Sequence, residues 1–392
     1  MSKKTLGYGK HKIDRHDINE VVKVLKSDSI TQGKIVDEFA NKVAKFCNAK
    51  YGVAVSSGSA ALHLAVKSLN LKKNDEVITT PITFCATANS ILYEGAKLKL
   101  VDIDEDTLNI DEKLLQKNIS NKTKAIIPVD FRGHPAPLGE IYEISKKKRI
   151  KIIEDASHSL GSIYNYKGKN FKCGQNVHTD LSTFSFHPVK HITTGEGGVV
   201  TTNSYKLFNR LRLYAKHGID RNLNMFNKKK RIGSWKYEMF DLGYNYRLTN
   251  FQSALGISQL KKIHFFMKRR KEIVKIYNEN FGKFEFLKTP FESKNVKSNF
   301  HIYTLQVKNN KYFDRYDLFN YLKSKFYAPM VHYIPIHFLK FYKKKYKFKL
   351  GDFPVAESYY NQTISIPLFP SMTISQIEKV IKDINDFIKL KC

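Results

Sequence analysis

Cysteine is scarce in this chain of 392 residues. There are four, Cys47, Cys85, Cys173 and Cys392, far apart and with no CxxC pair. Such spacing excludes a disulfide framework and reads as the reduced thiols of a cytosolic protein. Long apolar runs are lacking as well. None approaches the roughly 20 residues of a membrane span, and the opening MSKKTLGYGKHKID has no apolar core of a secretory signal. A cytoplasmic location without membrane contact is therefore expected. Acidic residues are few, 36 Asp plus Glu against 67 Lys plus Arg, for a net charge of +31. Arginine is also sparse. Of the basic side chains 11 are Arg and 56 are Lys, whereas readers of bases and phosphates lean on the bidentate guanidinium.

The basic excess does not by itself indicate a nucleic-acid partner. Lysines are scattered rather than gathered in a stripe, and the densest run, FLKFYKKKYKFKL at 338–350, is read as a solvated face. Its interleaved aromatics keep a stacking patch open as the alternative. A field of this sign also draws small anionic molecules.

The chain is long enough for about two domains, and 42% hydrophobic residues suit a globular protein. Strand and helix patterns alternate. Strands are expected at 51–55, 76–79, 97–101, 125–129 and 150–153, separated by helix-like stretches such as SSGSAALHLAVKSL and LGEIYEISKKKR. This rhythm predicts an α/β fold with a mostly parallel sheet between helices. QLKKIHFFMKRRKEIVKIYNENF predicts one long helix, leading into strands at 301–307 and 363–366. The expected division is a large α/β domain over residues 1–260 and a smaller α+β domain over residues 261–392. No internal repeat or low-complexity linker breaks the chain.

Ligands of such sheets gather beyond the carboxyl ends of strands, and three ends carry chemistry. Ser57-Gly58-Ser59 follows one strand and opens a helix, a combination that can hold an anion or can be a turn with a cap. Glu154-Asp155 ends IKIIED. In FSFHPVKHITTGEGGVVTT, Lys190 lies between one strand and the glycines that open the next. A cradle for phosphate, a carboxylate and a desolvated lysine together suggest pyridoxal phosphate, with the carboxylate on the ring nitrogen and Phe84 in PITFCATANS available to cover the ring. Metal and purely structural readings remain open at this point. A zinc site from His187, His191 and Cys173 is disfavoured because Pro188 breaks the helix that would present both histidines.

These stretches, together with ITQGKIVDEFA, TTPITFCATANSILYEGA, VDIDEDTLNID, IIEDASHSLG, LGYNYRLTNFQSALGISQL, HYIPIH and ISIPLFP, occur in order along nearly the whole chain. In them the sequence resembles the DegT/DnrJ/EryC1/StrS sugar-nucleotide aminotransferases, fold type I pyridoxal-phosphate enzymes. The resemblance implies that Lys190 carries the cofactor and moves the proton, Asp155 binds the pyridine nitrogen, Phe84 stacks on the ring, and Gly58, Ser59 and Ser185 hold the phosphate. Asn245 is expected to reach the phosphate of a partner subunit, making the active unit a homodimer. His158 stands near the ring hydroxyl, where many relatives have Gln. Thr31 and Gly33 fall in the substrate loop, and His332 is expected to contact substrate; His187 is taken as a structural hydrogen-bonder.

EDASHSLG, SFHPVKHITT and VHYIPIH are most similar to the pseudaminic acid branch of the family. That implies glutamate as amino donor and a UDP-linked 4-keto-6-deoxy-N-acetylhexosamine as acceptor; GDP- or dTDP-keto sugars aminated at C4 or C3 are the alternative. Arg132, in VDFRGHPAP, departs from the small residue usual in close relatives. Family dehydratases carry His in place of the lysine, so Lys190 favours transamination. A non-enzymatic regulator that binds the same cofactor is a third reading.

Overall fold

The computed structural model describes residues 5–220 and 235–392. Seven strands form the central sheet: β1 Tyr51–Val55, β2 Glu76–Thr79, β3 Lys97–Leu100, β4 Thr123–Ile126, β5 Lys151–Asp155, β6 Leu181–Ser185 and β7 Gly198–Thr202. Their order across the sheet is β1-β7-β6-β5-β4-β2-β3. The run from β6 to β3 is parallel. β7 is antiparallel to both of its neighbours. Helices cover the sheet, which explains why its strands read as apolar runs rather than alternating ones. The helix Gly58–Ser68 is buried at every position from Ala60 to Val66.

This topology sets the site at one edge. Gly198, where β7 begins, faces both Ser185 and Val55, where β6 and β1 end. Asp155, the last residue of β5, faces Thr183 of β6. The reversed direction of β7 thus places its glycine beside the carboxyl ends of its neighbours.

The long helix expected from residue 259 is Ile263–Phe281, set off from the helix before it, Asn250–Leu260, by a break at 261–262. The break is held by tertiary contacts. Gln259 Nε2 donates to Asp17 Oδ2 at 2.7 Å, and Lys262 Nζ pairs with Asp14 at 2.8 Å and with fully buried Asp17 at 2.5 Å. Beyond it, β8 Leu287–Lys288, β9 Tyr303–Val307 and β10 Thr363–Ile366 form an antiparallel sheet in the order β8-β9-β10. A separate apolar cluster, with Ile273, Tyr277, Leu305, Ile364 and Phe387 among its members, packs this sheet against the helices Ile263–Phe281 and Ile374–Lys391. Among the described residues no helix is long and apolar enough to cross a membrane.

Candidate active site

The segment after β6 is closed on itself by backbone bonds. Phe186 N donates to Gly197 O at 2.9 Å, Thr194 N to Phe186 O at 3.0 Å, and Lys190 N to His187 O at 2.9 Å. This fixes the turn that carries Lys190, whose side chain is half-buried. Burial pulls its ammonium pKa down to about 8, opposed only by the negative charge of Asp155. An amine poised there is a nucleophile near neutral pH, unlike a lysine in solvent.

Asp155 is itself buried. Its Oδ2 accepts from Thr87 Oγ1 at 2.8 Å, and its Oδ1 accepts from Ser157 Oγ at 2.6 Å and Ser157 N at 3.2 Å. Three donors fix the plane of a carboxylate whose charge reaches the lysine. Four imidazoles, His158, His191, His301 and His332, also feel the Lys190 charge or one another, and burial lowers the pKa of each. They are neutral, so Asp155 is the charged partner of the amine.

A cradle lies beside this pair. Ser57 caps the helix Gly58–Ser68, its Oγ accepting from Ala60 N at 3.1 Å. Gly58 and Ser59 are in the first turn, where helices leave N–H groups without intrahelical acceptors. A Cβ on Gly58 would stand 2.7 Å from Ser185 Cβ, and one on Gly198 would stand 2.4 Å from Ser57 O. Glycine is required at both places for the backbone to come this close. Phe84 precedes the helix Cys85–Tyr93, is 57% exposed, and tilts against Tyr333 at 6.1 Å between ring centroids.

The expected site residues fall into two groups. Lys190, Asp155, His158 and His332 meet around the amine, with Gly58 and Ser185 in the cradle. Thr31, Gly33 and Asn245 form the second group. Thr31 bridges to Thr249, Gly33 N donates to Asn250 Oδ1 at 2.8 Å, and exposed Asn245 accepts from Arg247 Nε at 2.8 Å. The groups join where Ser56 N donates to Tyr246 O at 2.8 Å. His332 Nδ1 is hydrogen-bonded to Ser365 Oγ at 2.7 Å, its ring packs edge-on against Tyr8, and burial brings its pKa to about 3.

Some expectations are corrected. The His187 ring is exposed and makes no hydrogen bond among the described residues, so it is not a structural hydrogen-bonder. Cys173 lies with Asp130 and Glu154, and the ligand atoms of the three are all within 4.8 Å of one another. Burial raises both carboxyl pKa values, and the Glu154 charge raises Asp130 further. Asp130 is therefore the more readily protonated of the two. Arg132 is buried, its guanidinium against the carbonyls of Asp106 and Thr107 at 3.3 Å. It braces a loop rather than reading a sugar.

Reasoning from sequence missed Thr87, Ser157 and Tyr333. All three stand inside stretches that did attract notice, but nothing in their spacing pointed to a role. Tyr333 Oη lies 3.1 Å from His158 Nε2.

Compared with known proteins, residues 11–385 match the DegT/DnrJ/EryC1/StrS aminotransferase family. The chain belongs to that family. It is 40% identical over 381 residues to the UDP-4-amino-4,6-dideoxy-N-acetyl-beta-L-altrosamine transaminase of Campylobacter jejuni, covering 96% of this chain and 95% of the relative. It is 34% identical over 358 residues, 91% of each chain, to GDP-perosamine synthase of Escherichia coli. Among solved structures it is similar to Helicobacter pylori PseC, an aminotransferase involved in the biosynthesis of pseudoaminic acid. There the TM-score is 0.85 at 29% identity, over 98% of this chain and 100% of that one. The fold is therefore fold type I, and the chain is a sugar aminotransferase that uses pyridoxal phosphate. Its residues fit that cofactor. The desolvated amine, the oriented carboxylate and the glycine-lined cradle supply its three anchoring chemistries, and His158 Nδ1, buried with no partner among the described residues, offers a fourth contact.

Proposed function

We propose that this aminotransferase moves an amino group from glutamate to C4 of a UDP-linked 4-keto-6-deoxy-N-acetylhexosamine, working as a homodimer with shared sites. The observation that carries the chemistry is the Lys190 amine, its pKa brought to about 8 by burial and within reach of the Asp155 charge. The sugar assignment is supported by the Campylobacter jejuni relative, which covers the chain nearly end to end.

In this reading the cofactor, when bound, supplies a carbonyl carbon for the amine and a protonated ring that withdraws electrons. The chain does the rest. Lys190 Nζ would carry the cofactor and, as a free amine, would take up and return a proton as general base and acid. Asp155 holds the proton on the ring nitrogen, its plane fixed by Thr87 and Ser157. Gly58, Ser59 and Ser185 receive the phosphate at the helix N-terminus, and Phe84 covers the ring. Asn245 is proposed to complete the phosphate site of the partner subunit. Thr31, Gly33 and His332 are proposed to line the substrate path. The division into residues 1–260 and 261–392 belongs to the proposal and is supported by the separate apolar cluster around the second sheet.

A site built to hydrogen-bond the 2-acetamido group should reject sugars that lack it, because its polar groups are left unpaired. kcat/KM for the UDP-linked acetamido sugar should exceed that for dTDP-4-keto-6-deoxyglucose and GDP-4-keto-6-deoxymannose by at least about 100-fold. Equal or reversed preference would remove the substrate assignment. The GDP sugar is the second reading because the Escherichia coli relative is named for a GDP-linked product.

A further inference from the structure

We propose that Tyr333 is a positioning residue that holds His158 in its Nδ1–H tautomer, so that the imidazole presents a donor to the ring oxygen of the bound cofactor. The proposal rests on the reading of this site as the pyridoxal phosphate site.

The Tyr333 hydroxyl and His158 Nε2 are 3.1 Å apart, a bond that either atom could donate. The two assignments differ in what they leave unpaired. If His158 donates from Nε2, the phenol proton has no acceptor among the described residues and Nδ1 is a bare lone pair. If Tyr333 donates, its proton is used and a single group, Nδ1–H, is left over. An unmet buried donor or acceptor costs roughly 1–3 kcal/mol, so the second assignment is favoured by one such group. Burial raises the pKa of the Tyr333 phenol, which keeps the proton available to donate, and it lowers that of His158, which keeps the ring neutral with one nitrogen as acceptor.

Nothing nearby in the chain takes the Nδ1 proton. The His301 ring is 4.4 Å away, centroid to centroid, but no hydrogen bond joins the two rings, and the other ring neighbour, Phe131, is apolar. The Lys190 charge is the foremost of those acting on the imidazole, ahead of His332 and His191. In pyridoxal phosphate the ring oxygen is on the carbon next to the one that bears the aldehyde, so a cofactor carried by Lys190 would bring an acceptor near the group whose charge acts foremost on this imidazole. Without Tyr333 the imidazole would divide between two tautomers, and one of them presents a lone pair to that oxygen.

The test begins without cofactor. Long-range proton–nitrogen NMR on histidine-labelled apoprotein should show His158 protonated at Nδ1 in the wild type and mixed or switched in Tyr333→Phe, a variant that keeps the ring packing. An Nε2–H ring in the wild type, or no change in Tyr333→Phe, would overturn the proposal. Cofactor affinity then tests the donor role. Tyr333→Phe should raise Kd for pyridoxal phosphate about tenfold (~1.4 kcal/mol) and shift the pH at which the visible band of the bound cofactor changes. In a His158→Asn background, whose amide donor needs no tautomer, the same change should matter less than about twofold. Equal effects in both backgrounds would assign Tyr333 a packing role and refute the proposal. A wild-type chain that shows the Nδ1–H ring but binds no pyridoxal phosphate would refute the cofactor reading and the donor role with it, and leave the tautomer standing.

Discussion

Thr87 Oγ1 donates to Asp155 Oδ2 at 2.8 Å, and Thr83 Oγ1 lies 2.7 Å from Thr87 Oγ1 behind it. A helix that begins one residue after Phe84 thus reaches across to the end of β5 and fixes the carboxylate from the side opposite Ser157. One short segment supplies both the exposed aromatic proposed to cover the ring and the brace for the charge.

Two substitutions separate brace from charge. Asp155→Asn keeps the shape and removes the charge that holds the ring proton, and kcat should fall by several orders of magnitude. Thr87→Val keeps the charge and removes one donor. A hydrogen bond to a charged group contributes about 1.5–3 kcal/mol, so kcat should fall by ~10-fold to ~100-fold with the cofactor still bound. Steady-state kinetics at saturating cofactor distinguish the two. A Thr87→Val enzyme as inactive as Asp155→Asn would mean that the threonine does more than orient.

The pH dependence of Lys190 follows from its pKa of about 8, lowered by burial and raised by Asp155. The free amine is the reactive form. In the apoprotein its rate of reaction with pyridoxal phosphate should rise through about pH 8 and level off about one unit higher, whereas a solvent lysine keeps gaining beyond pH 10. Removing the charge in Asp155→Asn should move the midpoint down, since Asp155 is the group that raises it. Stopped-flow traces across pH on both proteins check this, and an upward shift would contradict it.

Asp130 and Glu154 lie together in the interior, and burial raises both pKa values. The folded state therefore binds a proton that the unfolded state releases above about pH 4. By linkage, this pair's contribution to stability is fully present below that pH and is lost as pH rises toward the raised folded pKa. Asp130→Asn substitutes a neutral donor for the protonated acid. Its Tm, relative to wild type, should therefore improve as pH rises from about 5 to 9, measured by calorimetry. A constant difference across that range would refute a proton held by this pair in the folded state.

Much of the site was legible because its chemistry is local. Ser57-Gly58-Ser59, Asp155 and Lys190 each stand at a strand end whose apolar run announces it, and odd residue types at such ends are conspicuous. What was not legible depends on residues distant in the chain. The break at 261–262 comes from Asp14 and Asp17, and the helical periodicity on either side of it is continuous. Tyr333 and His158 are 175 positions apart. Strand β7 was expected as a strand, but an apolar run reads the same in either direction, so its antiparallel course had no sequence signal. Arg132 stood out only as a departure from the small residue usual in relatives, and its role was not legible because the partners that hold it inward are the carbonyls of Asp106 and Thr107, 26 and 25 positions away.

The proposed sharing of sites between subunits has a consequence for mixed dimers. If Asn245 serves the neighbour's phosphate, a Lys190→Ala protomer paired with an Asn245→Ala protomer has both defects in one site and none in the other. Activity should recover to about a quarter of wild type when equal amounts exchange at random, and cofactor should stabilise the dimer. No recovery despite subunit exchange, followed by native mass spectrometry, would place Asn245 in its own chain's site.

The central claim is that Lys190, among 56 lysines, is the one that carries the cofactor. Reducing the yellow holoenzyme with borohydride and mapping the labelled peptide by mass spectrometry tests it most directly. The account predicts one phosphopyridoxyl group per chain, on Lys190, and none in Lys190→Ala. Stoichiometric label on any other lysine, or a Lys190→Ala enzyme that keeps near-normal turnover, would contradict it.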